Sequence, residues 1–115
     1  MNFSESLKKN SDFKYVYTHG KSFANKYLVM YLLENNMEKK SLGISVSKKV
    51  GNSVVRHRIT RLIRESYRLQ ESIFNSGLDI VIVARKNAFQ ISYVDMESAL
   101  LHLGKLHHIL NNVSY

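Results

Sequence analysis

The amino-acid sequence predicts an α/β protein, an α+β two-layer sandwich, with the order helix-strand-strand-helix-strand-helix and a mixed sheet beside one strongly basic helix. Three observations carry this. Leu42, Ile44 and Val46 alternate with Gly43, Ser45 and Ser47, the period of two of a half-buried strand. The run Ile80-Val81-Ile82-Val83-Ala84 is apolar at every position, as in a strand covered on both faces. Between them lies a long stretch whose apolar residues recur with the helical period, and whose remaining positions are crowded with arginine. The 115 residues, 44% of them apolar, suit a single domain spanning 1–115 with one core.

Taken in order, Ser11 can cap a short helix that carries Phe13, Val16 and Tyr17 on one face and ends at Gly20, a natural residue just past a helix C-terminus. Tyr27 to Leu33 is a dense apolar run of strand length, and the polar stretch Asn35 to Lys40 reads as a turn. With Leu42–Ser47 after it, the pattern predicts an antiparallel hairpin. Gly51-Asn52-Ser53 opens the main helix, with Asn52 or Ser53 as N-cap; the helix runs to about Ile73 or Phe74 and stops near Gly77. At 100° per residue, Val55, Ile59, Leu62, Ser66, Leu69 and Ile73 gather on one side. Arg56, Arg61, Arg64 and Arg68 gather on the other, with His57 and Thr60 among them and Arg58 at the boundary. Leu78 to Ala84 is the central strand. Ser92-Tyr93-Val94-Asp95 has the form of a capping box with aspartate in the glutamate place, and it starts a last helix with Met96, Ala99, Leu103, Leu106 and Leu110 on one face.

Charge narrows the function. The chain carries 17 Lys and Arg against 9 Asp and Glu, a formal net charge of +8. Most of the excess sits in one segment, where Lys48, Lys49, Arg56, Arg58, Arg61, Arg64 and Arg68 face Glu65 alone. A one-signed cluster repels itself and implies a polyanionic partner. Guanidinium groups bind phosphate as planar forks, and a helix N-terminus beside Lys48 and Lys49 attracts anions. Phe13, Tyr17 and Tyr31 could stack unpaired bases beside such a surface, although aromatic residues at helical spacing are equally the pattern of a core. Gly43 and Ser45 are small and leave one sheet face open, as a groove requires.

Other classes are excluded or weakened. With no cysteine there is no disulfide, thiolate metal site or thiol nucleophile. No signal peptide opens the chain and no apolar run approaches the roughly 20 residues of a membrane helix, so the expected location is cytoplasmic, without a membrane partner. His19, His57, His102, His107 and His108 show no spacing for a metal or an acid–base pair, and Asp12, Asp79 and Asp95 are scattered. The expectation is therefore no catalytic and no metal-ligating residue on the protein. A strand, not a short helix, precedes the basic helix, which argues against DNA binding by a helix-turn-helix. An RNA-binding protein remains, either specific to one ribonucleoprotein or a generic basic module of ribosomal or RNA-chaperone type.

The run Lys48-Lys49-Val50-Gly51-Asn52-Ser53-Val54-Val55-Arg56-His57-Arg58-Ile59-Thr60-Arg61-Leu62-Ile63-Arg64-Glu65 closely resembles the signature of the protein subunit of bacterial ribonuclease P: a lysine pair, Gly-Asn, then Arg-Asn-Arg and further basic residues. Leu7 to Phe13, His19-Gly20, Ala24-Asn25, Leu42 to Ser47 and Ile82 to Arg85 are similar to other parts of that family, so the likeness spans nearly the whole chain. Two positions depart from the pattern. His57 replaces the middle asparagine but can still donate a hydrogen bond; Thr60 stands where a basic residue is usual and cannot carry charge.

The resemblance implies a subunit that assembles with a catalytic RNA, which removes the 5′ leader of precursor tRNA with Mg²⁺ held mainly by the RNA. It assigns Lys48, Lys49, Asn52, Arg56, His57, Arg58, Arg61, Arg64 and Arg68 to the RNA-binding helix. It assigns Phe13, Tyr17, Tyr31 and Ser45 to a groove for the single-stranded leader. It also implies a left-handed β-α-β crossover, against the usual hand.

Overall fold

A computed structural model describes residues 4–7, 9–35, 39–70 and 77–107. Its elements are β1 (Ser4–Ser6), α1 (Asn10–His19), β2 (Lys21–Ala24), β3 (Leu28–Glu34), β4 (Lys40–Ser45), α2 (Ser53–Gln70), β5 (Leu78–Ala84), a 3-10 turn (Lys86–Gln90) and α3 (Tyr93–Leu106). The six expected elements are present in the expected order. The short strands β1 and β2 are additional; neither has enough alternating apolar residues to announce itself.

The strands form one mixed sheet in the order β1-β4-β5-β3-β2. β5 is central, parallel to β4 and antiparallel to β3. This corrects the expected hairpin: the Tyr27–Leu33 and Leu42–Ser47 segments, seen as β3 and β4, do not pair with each other, because β5 lies between them. The physical reason is in β5 itself. Ile80 and Ile82 are fully buried on one face and Val81 on the other, so the strand needs a neighbour on both sides and a cover on both faces. The chain that links β3 to β4 closes under the start of β5, where Asn35 N–H donates to the Gly77 carbonyl and Gly77 N–H to that of Lys39. Gly77 holds φ 80°, a conformation that favours glycine. The hairpin that does form joins β2 to β3. Its turn is set by Asn25, whose Oδ1 accepts from the backbone N–H groups of Tyr27 and Leu28 at 3.1 and 2.9 Å.

Strand alternation sorts the two faces. Leu28, Met30, Ile80 and Ile82 join Ile59, Ile63 and Tyr67 of α2 and Met96, Leu100 and Leu103 of α3 in the main core. Each such side chain contributes roughly 1.5–3 kcal/mol by leaving water. Together the sheet, α2 and α3 make the expected two layers, with β4, α2 and β5 as the β-α-β unit. On the opposite face, the short α1 packs Val16 near the buried Val81 and covers only part of the sheet.

Several local expectations shift. α1 begins at Asn10, and Lys9 rather than Ser11 is its N-cap, without a side-chain bond. Gly20 follows α1 but is extended, with φ −84°. Glycine is needed there for a close approach: a Cβ would stand 2.7 Å from the Val16 carbonyl oxygen and 2.8 Å from that of Leu32. The buried face of α2 is Ile59, Ile63, Ser66, Tyr67 and Gln70, rotated by roughly 60° from the expected stripe at 100° per residue. Leu69 is 61% exposed, because Tyr67 offers more apolar area to the α3 side. The expected helix end at Ile73 or Phe74, and Leu110, lie outside the described residues. No described helix is long and apolar enough to cross a membrane.

Asn52 is the N-cap of α2, its Oδ1 accepting from Val55 N–H at 3.0 Å. Asn52→Ala is expected to lower stability by about 1 kcal/mol, read as a lower urea midpoint with unchanged slope. Ser92 caps α3 in the same way, accepting from Asp95 N–H.

Candidate nucleic-acid interface

Two surfaces emerge from this architecture. The first is a groove between α1 and the end of β4, about 530 Å³, lined by Asn10, Phe13, Lys14, Tyr17, Ile44, Ser45 and Val46. Residues 10, 13, 14 and 17 follow the i, i+3, i+4, i+7 spacing of one helix face. Val16 turns inward to the sheet, and Phe13 and Tyr17 remain at its margin, Tyr17 being 38% exposed. The two rings lie 6.3 Å apart and tilted. Tyr31 does not line the groove. Its ring stands edge-on to Tyr17 at 4.8 Å and fixes the plane of that ring from behind. Of the four groove residues expected from the sequence, Phe13, Tyr17 and Ser45 form the wall and Tyr31 supports it.

Gly43 is part of the same construction. A Cβ there would lie 2.8 Å from Cε1 and Cζ of Phe13 and 3.3 Å from the Leu7 Cβ, so the Phe13 ring rests directly on the glycine. Gly43→Ala is expected to push the ring off the sheet. Affinity for a single-stranded ligand should fall several-fold, at a stability cost of about 1–3 kcal/mol, while binding through α2 is unchanged; titrations with the two ligand types check this.

Asn10 and Lys14 were not singled out from the sequence. Lys14 brings the groove an exposed cation next to Phe13 in the chain and about one helical turn from Tyr17. The i, i+3, i+4, i+7 spacing was the available signal.

The second surface is the outer side of α2. His57, Arg58, Arg61, Arg64 and Arg68 are exposed there, with Lys48 and Lys49 exposed in the turn before the helix. Arg56 departs from the expected stripe. It lies toward the buried side, half-buried, with its Nε inside the protein and without a hydrogen-bond partner. Thr60 donates its hydroxyl to the Arg56 carbonyl at 2.9 Å and is spent on its own helix. Arg58 donates from Nη2 to the Ile91 carbonyl at 2.6 Å, tying α2 to the turn before α3. Arg68 pairs with Glu65 at 3.0 Å on the surface. Among the described residues, no hydrogen bond or ion pair engages Arg61 or Arg64. Exposed and without a partner among the described residues, these two guanidinium groups are open to a phosphate backbone.

The sheet joins the surfaces. Ser45 pairs with Val83 in the parallel ladder, so the end of the groove, the Lys48–Lys49 turn and the start of α2 all lie at one end of the sheet.

The described histidines sit apart. His19 meets the Tyr15 carbonyl, His57 is on α2, and His102 contacts Asn25. His107 bonds the Met30 carbonyl, and burial, aided by Lys21, lowers its pKa from the ordinary histidine value. No two of them converge on one point of the groove. Groove and stripe offer ammonium, guanidinium, amide and hydroxyl groups, with one carboxylate, Glu65, already paired with Arg68. Mg²⁺ takes oxygen ligands, usually with carboxylate charge, and this mainly cationic donor set suits phosphate better.

Comparison with known proteins agrees with this reading. A protein-family model described as Ribonuclease P matches residues 1–107. The ribonuclease P protein component of Lachnoclostridium phytofermentans is 65% identical over 109 residues, covering 95% of this chain and 94% of that protein. Among solved structures, the Staphylococcus aureus RNase P protein superposes with a TM-score of 0.86 at 36% identity, covering 95% of this chain and all of the other. The Thermotoga maritima RNase P protein superposes with a TM-score of 0.80 at 30% identity, over 88% of this chain and 96% of that one.

Proposed function

The chain belongs to the bacterial ribonuclease P protein family, and on that premise we propose that its two surfaces hold two RNAs, the catalytic RNA on α2 and the single-stranded 5′ leader of precursor tRNA in the α1–β4 groove. As a ribonuclease P protein component it is an RNA-binding, accessory part of an endoribonuclease that acts in tRNA processing. The observation that carries the division of labour is the open groove with its aromatic wall, placed beside but distinct from the arginine stripe.

The chemistry follows from the residues. The exposed cations of α2 and the Lys48–Lys49 turn screen the repulsion between two polyanions and release their condensed counterions. Phe13 and Tyr17 offer π-faces to leader bases of any identity, and Lys14 offers a charge to the phosphate between them. Precursor is thereby bound more tightly than mature tRNA, which has no leader. Phosphodiester hydrolysis in this proposal belongs to the RNA, with Mg²⁺ held mainly there. The protein's side chains bind, orient and neutralise, in the cytoplasm where precursor tRNA is made.

The test is cleavage of a 5′-labelled precursor tRNA at near-physiological Mg²⁺ by catalytic RNA alone, protein alone, and both. The proposal expects efficient cleavage at the leader junction only from the combination. Cleavage by the protein alone would contradict the assignment of chemistry to the RNA. No gain over the RNA alone would leave a generic basic RNA-binding module.

A further inference from the structure

A third surface lies at the same end of the sheet, on the α2–α3 side, and neither the groove nor the stripe accounts for it. The β2–β3 turn and the 3-10 turn after β5 meet there. They are fastened together: Arg85 N–H donates to the Tyr27 carbonyl at 2.8 Å, Arg85 Nη1 to the Asn25 carbonyl at 2.7 Å, and the Asn87 amide to the Lys26 carbonyl at 3.3 Å. Between the turns is an open hollow of about 260 Å³ whose wall includes Lys26, Tyr27, Asn87, Phe89 and Gln90. Phe89 is 47% exposed although the core lies directly beside it, where Ala88 and Ile91 are buried. Lys26 holds its ammonium 5.3 Å from the Tyr27 ring centre. Among the hollow's lining residues Lys26 is the cation and Asp95 the acid; Arg85 and Lys86, just before Asn87 in the chain, are exposed.

We propose that this hollow is a second contact for the catalytic RNA and takes one unpaired nucleotide, its base stacked on Phe89 and its phosphate met by Lys26. The inference rests on the assignment of α2 to the catalytic RNA. An exposed aromatic ring held between stapled turns, with the Lys26 ammonium in the same wall, fits a base with its phosphate, not a duplex, whose bases are already stacked. The hollow adjoins the stripe, since Arg58 of α2 is bonded to the carbonyl of Ile91, one of the hollow's lining residues. It lies across the sheet from Phe13 and Tyr17. An RNA that follows the stripe reaches it, so the occupant is the catalytic RNA and not the leader.

The chain contains no tryptophan, so Phe89→Trp places its one tryptophan in the hollow, excited at wavelengths that its seven tyrosines do not absorb. Titrated with catalytic RNA alone, the full-length variant should lose fluorescence as the base stacks; unchanged emission, or quenching only by precursor tRNA, would overturn the proposal. Phe89→Ala should weaken catalytic-RNA binding by about fivefold or more, and Phe89→Leu, which keeps apolar bulk without a π-face, should resemble it. Wild-type affinity in Phe89→Leu would overturn the stacking role. Circular dichroism shows that each variant is folded. Loss of binding in an Arg61→Ala, Arg64→Ala variant with no loss at Phe89 would sink this inference alone. Unchanged binding in all of them would sink the α2 assignment beneath it.

Discussion

Replacing Arg61 and Arg64 together by alanine is expected to weaken assembly with the catalytic RNA by roughly ten- to a hundredfold near 0.1 M salt, and to lower the slope of log K against log salt by about 1.4–1.8. Both groups are exposed, and among the described residues neither is engaged by the protein. Their loss therefore removes counterion release without removing a fold contact. Alanine is also the better helix former, so thermal stability should hold or rise slightly. Arg58→Ala is the instructive contrast. It strips the Ile91 carbonyl of a charged donor, and it should lower stability as well as binding. The measurement is a salt series of binding isotherms beside a melting curve. An unchanged slope in the double variant would mean that α2 does not carry the phosphate contacts.

Phe13→Ala combined with Tyr17→Ala is expected to weaken precursor tRNA binding to the holoenzyme by roughly thirtyfold or more, from about 1–3 kcal/mol for each of two stacked bases. Mature tRNA binding should change little, because mature tRNA has no leader to place in the groove. Tyr17→Phe keeps the ring against Tyr31 and should behave as wild type. The selectivity matters more than the size of the effect. Equal losses for precursor and mature tRNA would mean that the two rings support the fold or the assembly and do not touch the leader.

Much of this was legible in the residues. The doubly apolar β5 and the Asn52 and Ser92 caps are local signals that appear in the structure where the local physics puts them, and the period of two at Leu42–Val46 marks β4, although that strand runs Lys40–Ser45, two residues ahead of the expected Leu42–Ser47. The pairing of strands is not local. Nothing between Tyr27 and Ser47 says that a strand beginning at Leu78 will enter between β3 and β4, and only the demand of Val81, Ile80 and Ile82 for cover on both faces hints at it. β1 and β2 are held by the sheet edges they join, not by their own patterns.

The interface divides the same way. The arginine stripe follows from sequence spacing, but the choice among its members does not. Tyr67, opposite α3, turns the helix by roughly 60°, and that rotation half-buries Arg56 while leaving Arg61 and Arg64 exposed. The aromatic residues were visible, yet their division into wall and support depends on Gly43 bringing Phe13 onto the sheet and on Tyr31 meeting Tyr17 edge-on.

If the protein adds affinity for the leader itself, that affinity depends on leader length. The measurement is binding of a series of precursor tRNAs, with leaders lengthened one nucleotide at a time from none, to the catalytic RNA with and without the protein. The structure predicts that the protein's contribution is small for mature tRNA, rises as the leader reaches the Phe13–Tyr17 groove, and then levels off. A contribution that is the same at every leader length would contradict the claim.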